Sequence, residues 1–182
     1  MSSKSAFHYN ISFTVPANKP ESNPKLTSGD LWLGIAHVAH TPQEFAPYVA
    51  KTDVLWRAPE QQRLGRAVEL TNGGVHTTKG QVLYQEVKIC DTMLVEARTE
   101  DTGAKTTFLL SYNIGATVSP DSTDISFTVI YELRVAGVLE GSAKAEEIKR
   151  DYPELARKAC TDTVEQIRQC KLDGRLARFD RG

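Results

Sequence analysis

Hydrophobic and polar residues alternate with period two at the start of the chain. Phe7, Tyr9, Ile11, Phe13 and Val15 are separated by His8, Asn10, Ser12 and Thr14. This spacing predicts a half-buried strand. Pro16, Pro20 and Pro24 follow and deny the backbone both helix and ladder hydrogen bonds, so a loop is expected. Thr27 then reads as a helix N-cap. Asp30 is placed to complete a capping box, and Leu26 and Leu31 occupy the positions of a hydrophobic staple. Leu31, Ile35, Val38 and Ala39 continue at helical spacing. Thr41-Pro42-Gln43-Glu44 has the form of a second helix start, with Phe45 and Val49 on one face. Two short helices are therefore expected to meet near His40.

From residue 52 to about 136 the period returns to two. The alternating sets are Val54 and Trp56; Leu64, Arg66, Val68 and Leu70; and Leu83, Val87 and Ile89. They continue with Met93, Val95 and Ala97; Phe108, Leu110, Tyr112 and Ile114; and Phe127, Val129, Tyr131, Leu133 and Val135. Asn72-Gly73-Gly74, Asp101-Thr102-Gly103 and Ser119-Pro120-Asp121 mark turns. Six strands at hairpin spacing predict an antiparallel meander. The pattern then changes again. Leu155, Ala159, Thr163, Ile167 and Lys171 lie four apart, flanked by Cys160 and Val164. This predicts an amphipathic helix of about five turns over residues 153–172. Asp151 to Glu154 would cap it around Pro153, Gly174 would end it, and the last eight residues would fray.

The order of one strand, two short helices, six strands and one long helix is an α+β arrangement. A curved antiparallel sheet of about seven strands would wrap around the C-terminal helix, and a sheet curved enough to leave the helix short of filling it encloses a small-molecule cavity. The 182 residues suit a single domain over 1–182, with an ordered core at about 7–176. Lys plus Arg number 22 and Asp plus Glu 23, a balance that argues against nucleic acid as a partner, since phosphate binding needs a basic surface. The longest apolar stretch, Leu31 to Ala39, is far short of the roughly 20 residues that span a bilayer, so no membrane partner is expected. Residues Met1 to His8 lack the apolar core of a secretion signal. Cys160 and Cys170, ten residues apart on one helix, would lie about 15 Å apart, too far for a disulfide. A reduced, cytoplasmic setting is expected. The oligomeric state is left open.

The element order is similar to that of the START/Bet v 1-like (SRPBCC) superfamily, the helix-grip fold. More closely, the chain resembles its AtaL-like branch, named after a protein of a fungal acetylaranotin biosynthetic cluster. The matching segments are Leu26-Thr-Ser-Gly-Asp-Leu-Trp-Leu-Gly34, Pro42 to Phe45, Arg66-Ala-Val68, Gln85-Glu86-Val87, Asn113, Phe127-Thr-Val-Ile-Tyr-Glu132 and Val164 to Leu176. The resemblance spans most of residues 7–176 and is carried by the order and spacing of these segments. The chain departs from the pattern in a longer first loop and in extra residues around 138–150. The resemblance implies the helix-grip fold and binding of a hydrophobic organic molecule between sheet and helix. It also implies a cofactor-independent cyclase or isomerase of fungal-type secondary metabolism. The same fold hosts non-catalytic carriers and storage proteins, and chaperone regulators, so these stand as alternatives.

Among candidate site residues, Arg66 alternates in phase with Leu64, Val68 and Leu70 and is expected on the concave side. A buried guanidinium needs carboxylate, carbonyl or ligand partners. It can bind a ligand carboxylate or stabilise an enolate-like charge, or it can make a structural ion pair. Tyr131 and Tyr112 share phases with core residues and can orient a carbonyl or donate a proton, or can simply tie down backbone groups. Arg66 and Tyr131 are the candidate catalytic pair. Trp56, Tyr112, Val68, Met93, Val95, Phe127 and Val129 are candidate ligand contacts, with ordinary core packing as the competing account. Glu86 and Glu132 are out of phase and are expected to face solvent. His37 and His40 lie three apart, but no third ligand and no H-E-x-x-H or Cys/His spacing accompanies them, so no metal is expected. His76 reads as a turn residue. Gly73 to Gly80 lacks the order of a phosphate loop, and no G-x-S-x-G or Cys/His nucleophile pair occurs. No cofactor is implied. Glu146 to Arg150 reads as a solvated charged face.

Overall fold

The computed structural model describes residues 7–71 and 77–179. The turn expected at Asn72-Gly73-Gly74, His76 and the first half of the Gly73–Gly80 stretch lie outside the described residues. Seven strands form one antiparallel sheet: β1 (Phe7–Pro16), β2 (Val49–Ala58), β3 (Arg63–Leu70), β4 (Val82–Cys90), β5 (Leu94–Thr99), β6 (Lys105–Tyr112) and β7 (Ile125–Val135). The order across the sheet is β1-β7-β6-β5-β4-β3-β2, so β1 crosses over to pair with β7 while the rest is a meander. Helix α1 (Ser28–His40) follows β1, α2 (Ala143–Leu172) follows β7, and a short α3 (Leu176–Phe179) ends the described chain.

Helix α1 begins as its sequence dictates. Thr27 Oγ1 accepts from the Asp30 amide at 3.1 Å, and the Thr27 amide donates to Asp30 Oδ2 at 2.8 Å. Leu26 and Leu31 are both fully buried beside this cap. The second helix expected at Thr41 is a single 3-10 turn, Pro42–Glu44, without a side-chain cap. Val49 opens β2 instead of sharing a helical face with Phe45.

The long helix is continuous across residues 153–172 and packs against β1, β7 and α1. It starts ten residues earlier than its period suggests. Ser142 caps it through the Ala145 amide at 3.3 Å, and Pro153 lies inside it. The charged run of residues 146–150 forms its first turns, with Lys149 ion-paired to Glu146 and Glu140. The buried stripe runs through Ile148, Tyr152, Ala156, Cys160, Val164 and Ile167. Leu155, Ala159 and Thr163 lie along its flank and look onto open space. Of the last eight residues, expected to fray, Leu176–Phe179 instead form α3, with Leu176 buried and Phe179 stacked on His37 at 3.4 Å; residues 180–182 lie outside the described residues.

Helices α1 and α2 cross where Gly34 meets Ile167. A methyl group at Gly34 would stand 2.4–2.8 Å from three Ile167 side-chain carbons, two of them attached directly to its Cβ. Alanine is worth about 0.5–1 kcal/mol over glycine in a free helix, but here the two helices would have to separate. Gly34→Ala is therefore expected to destabilise the fold by about 1–3 kcal/mol, the usual range for overpacking. Urea unfolding would read this as a lower midpoint at unchanged slope.

Candidate functional site

The helices fill only part of the concave face. Near β1, β7 and β6 the packing is dense: Val95, Phe127 and Val129 are at most 1% exposed, and Phe108 stacks on Phe127 with ring centres 6.0 Å apart. Toward β3 and β4 the sheet curls away from α2 and leaves a cavity of about 180 Å³. Val68, Leu70, Leu83 and Ala97 line it from the sheet, Leu155 and Ala159 from α2, and Pro42 and Phe45 to Val49 from the segment after α1.

Arg66 stands in its wall, 4% exposed, in the inward phase with Leu64 and Val68. Its Nη1 donates to the carbonyls of Val38 at 2.8 Å and Ala39 at 2.6 Å, and Nε donates to Gln85 Oε1 at 3.0 Å. Val38 and Ala39 belong to the last turn of α1, where carbonyls lack intrahelical partners and the helix dipole is negative. Burial lowers the guanidinium pKa to about 10, against a smaller upward pull from Tyr48, so Arg66 stays charged at neutral pH.

Three tyrosines gather beside it. Tyr48 and Tyr131 both line the cavity, and Tyr131 meets Tyr152 edge-on at 5.4 Å. Burial raises the pKa of all three, so each phenol keeps its proton. Tyr48 also feels the Arg66 charge, which opposes that rise. One wall of the cavity thus presents a cation and several hydroxyl groups, an arrangement suited to holding or polarising an oxygen.

Of the residues singled out from the sequence, Arg66, Val68 and Tyr131 meet at this cavity. Val95, Phe127 and Val129 face inward as expected but belong to the solid core. Tyr112 also faces inward, yet its hydroxyl points to the Ser119 carbonyl at 3.4 Å, away from the cavity. Met93 is corrected: it lies in the β4–β5 turn and is 52% exposed. Ile114 likewise falls beyond β6 and is fully exposed. Trp56 is also corrected. A bulge makes Val54 face Arg66 but Trp56 face Gly65, which shifts the alternation by one residue. The indole consequently covers Gly65 on the outer face, where a Cβ would come within 2.1 Å of Trp56 Nε1.

Three site residues escaped the sequence reading. Gln85 alternates with Leu83 and Val87, so its polarity in an apolar phase was the available signal. Tyr152 sits at helical spacing from Ile148 and Ala156, hidden behind Pro153. Tyr48 carries no periodic signal. Glu86 and Glu132 are on the outer face, paired with Arg63 and Lys105. The two histidines diverge: His37 Nε2 meets Glu44 at 3.2 Å, and His40 Nδ1 accepts from Arg57 at 3.0 Å. No group of three or more potential metal ligands occurs among the described residues, and no described helix is long and apolar enough to cross a membrane.

Comparison with known proteins fits this geometry. The family model described as "Acetylaranotin biosynthesis cluster protein L" matches residues 11–174. The chain belongs to the AtaL family. An AtaL-family protein of Aspergillus terreus (strain NIH 2624 / FGSC A1156), itself called acetylaranotin biosynthesis cluster protein L, is 37% identical over 176 residues. That match covers 97% of this chain and 98% of the relative. Among solved structures, a norcoclaurine synthase point mutant of Thalictrum flavum in complex with a transition-state analogue shares the fold. Its TM-score is 0.56 at 12% identity, covering 94% of this chain and 98% of that one. A protein of Thermus thermophilus matches at TM-score 0.55 and 10% identity, covering 92% and 98%. This AtaL-family chain therefore shares its fold, a curved antiparallel sheet against a long C-terminal helix, with these proteins.

At the C-terminal end of α1, burial first, then the charges of Arg57, His37 and Arg66, hold His40 down to a pKa of about 4 from an ordinary 6.5. The unfolded chain takes up this proton near pH 6.5 and the folded chain does not. The stability present above pH 6.5 is therefore lost as pH falls toward 4. His40→Asn retains an acceptor for Arg57 without titrating. Urea midpoints at pH 7, 5.5 and 4.5 should fall less steeply for this variant than for the native chain.

Proposed function

We propose that this AtaL-family chain binds a hydrophobic small organic molecule in the cavity between sheet and α2. We further propose that it acts on that molecule as a cofactor-independent cyclase or isomerase of secondary-metabolite biosynthesis. The observation that carries the reading is the polar wall: Arg66 with Tyr48, Tyr131 and Tyr152 facing a largely apolar enclosure. The name of the Aspergillus terreus relative, a biosynthesis cluster protein, supports the metabolic setting. Free thiols at Cys90, Cys160 and Cys170 accord with a reduced, cytoplasmic one.

In this mechanism the enclosure folds a flexible substrate toward its reactive geometry and excludes water. Arg66 then stabilises the negative charge that develops on a substrate oxygen. The phenol hydroxyls of Tyr131 and Tyr48 supply hydrogen bonds to that oxygen and remain protonated while they do so. Val68 and its apolar neighbours hold the substrate body.

A carrier reading has an observation of its own. Three hydrogen bonds already commit Arg66 to the protein, as in a residue kept for structure. The two readings separate in variants assayed on intermediates accumulated by a producing strain that lacks this gene. For a cyclase or isomerase, Arg66→Met should lower turnover by about 10²–10³-fold, the usual loss for an oxyanion donor. Affinity should fall by less than that. Tyr131→Phe should lower turnover with little change in melting temperature. Conversion by neither the native chain nor the variants, with affinity alone reduced, would favour the carrier.

A further inference from the structure

Arg66 is a buried cation without a counter-ion among the described residues. Three charged residues line the cavity. Lys105 is ion-paired with Glu96 and Glu132, and Asp162 with Lys158. Arg66 instead meets two backbone carbonyls and the Gln85 amide oxygen, all neutral. The end of α1 supplies at most about half a negative charge. The guanidinium has lost its water, and only part of its charge is answered.

The hydrogen bonds are also incomplete. Nε and Nη1 are committed, but Nη2 has no acceptor among the described residues. Its two N–H bonds remain available on a residue that forms the cavity wall. An N–H of a guanidinium makes a charge-assisted hydrogen bond to an oxygen of a carboxylate or similar oxyanion. Tyr48 and Tyr131 add hydroxyl groups nearby, while Leu70, Leu83, Phe108 and Leu133 supply apolar surface.

We infer that the ligand of this cavity is an amphiphilic organic anion, with an apolar body and one anionic oxygen group that pairs with Arg66 Nη2. The inference rests on the cavity being the ligand site and adds a charge requirement to it.

The test is a calorimetric titration with two probes of the same two-ring body, 2-naphthoate and 2-acetylnaphthalene, at pH 7.5 and near-physiological salt. The native chain should bind the carboxylate at least about tenfold more tightly than the ketone, the size of a charge-assisted pair over a neutral contact. Arg66→Gln should bring the two affinities within about twofold, and Tyr48→Phe should weaken naphthoate several-fold. Should Arg66→Gln fail to fold, the native ratio and Tyr48→Phe decide. Equal affinities, or a tighter ketone, would overturn the charge requirement and leave the cavity standing as the ligand site. A naphthoate preference untouched by the variants would put the anion elsewhere on the surface and overturn the inference. Binding of neither probe would overturn both the inference and the ligand site on which it rests.

Discussion

The contact between the Arg66 guanidinium and the last turn of α1 organises the cavity side of this fold. A helix end inside a protein carries carbonyls that need donors. Here a strand residue reaches up from the sheet floor and supplies them at 2.8 and 2.6 Å. The contact pins the end of α1 over β3 and so fixes where the chain leaves the helix. The next eight residues, Thr41 to Tyr48, must then pass over the open side of the sheet, where Pro42 and Phe45 to Tyr48 line the cavity and bring Tyr48 to the same space as Tyr131. A buried charge is a costly way to cap a helix. The same charge keeps its Nη2 free at the wall of the enclosed space.

The cavity exists because two packing requirements are met at different places. Helix α1 must approach α2 closely, and Gly34 permits this by accepting Ile167 against its backbone. Helix α2 must also bury its stripe against β1 and β7. Satisfying both draws α2 toward one side of a sheet that curls away on the other. Along β7 the consequence appears within five residues: Phe127 and Val129 are locked in solid core, whereas Tyr131, in the same phase, opens onto the cavity. Strand phase thus decides which residues face inward, and position along the strand decides whether they meet packed atoms or space.

This explains which parts of the molecule were legible from sequence. Alternation located all seven strands and the inward side of Arg66, Val68 and Tyr131, because a sheet with one buried face enforces period two. It could not distinguish core from cavity, since Phe127, Val129 and Tyr131 read alike. Trp56 was misplaced because one extra residue in β2, invisible as composition, reverses the alternation. The start of α2 was missed because Pro153 and the charged run imitate a boundary, while the actual N-cap is Ser142. Tyr48 lies in a bend whose path follows from the end of α1, a tertiary fact with no local signature. The tail after Gly174 was read as fraying, yet Leu176 and Phe179 find places against the core and His37.

The central claim is that the space between α2 and strands β3 to β5 is the ligand site and not a packing fault. Ala159 looks onto that space from α2, and a larger side chain there would project into it. The most direct measurement is the pairing of thermal stability with ligand capture for Ala159→Phe, using small molecules extracted from a producing strain. The account predicts a melting temperature unchanged or raised, because the ring fills existing space, together with loss of capture. A steep fall in melting temperature with capture retained would show that the region is ordinary core and that ligands bind elsewhere.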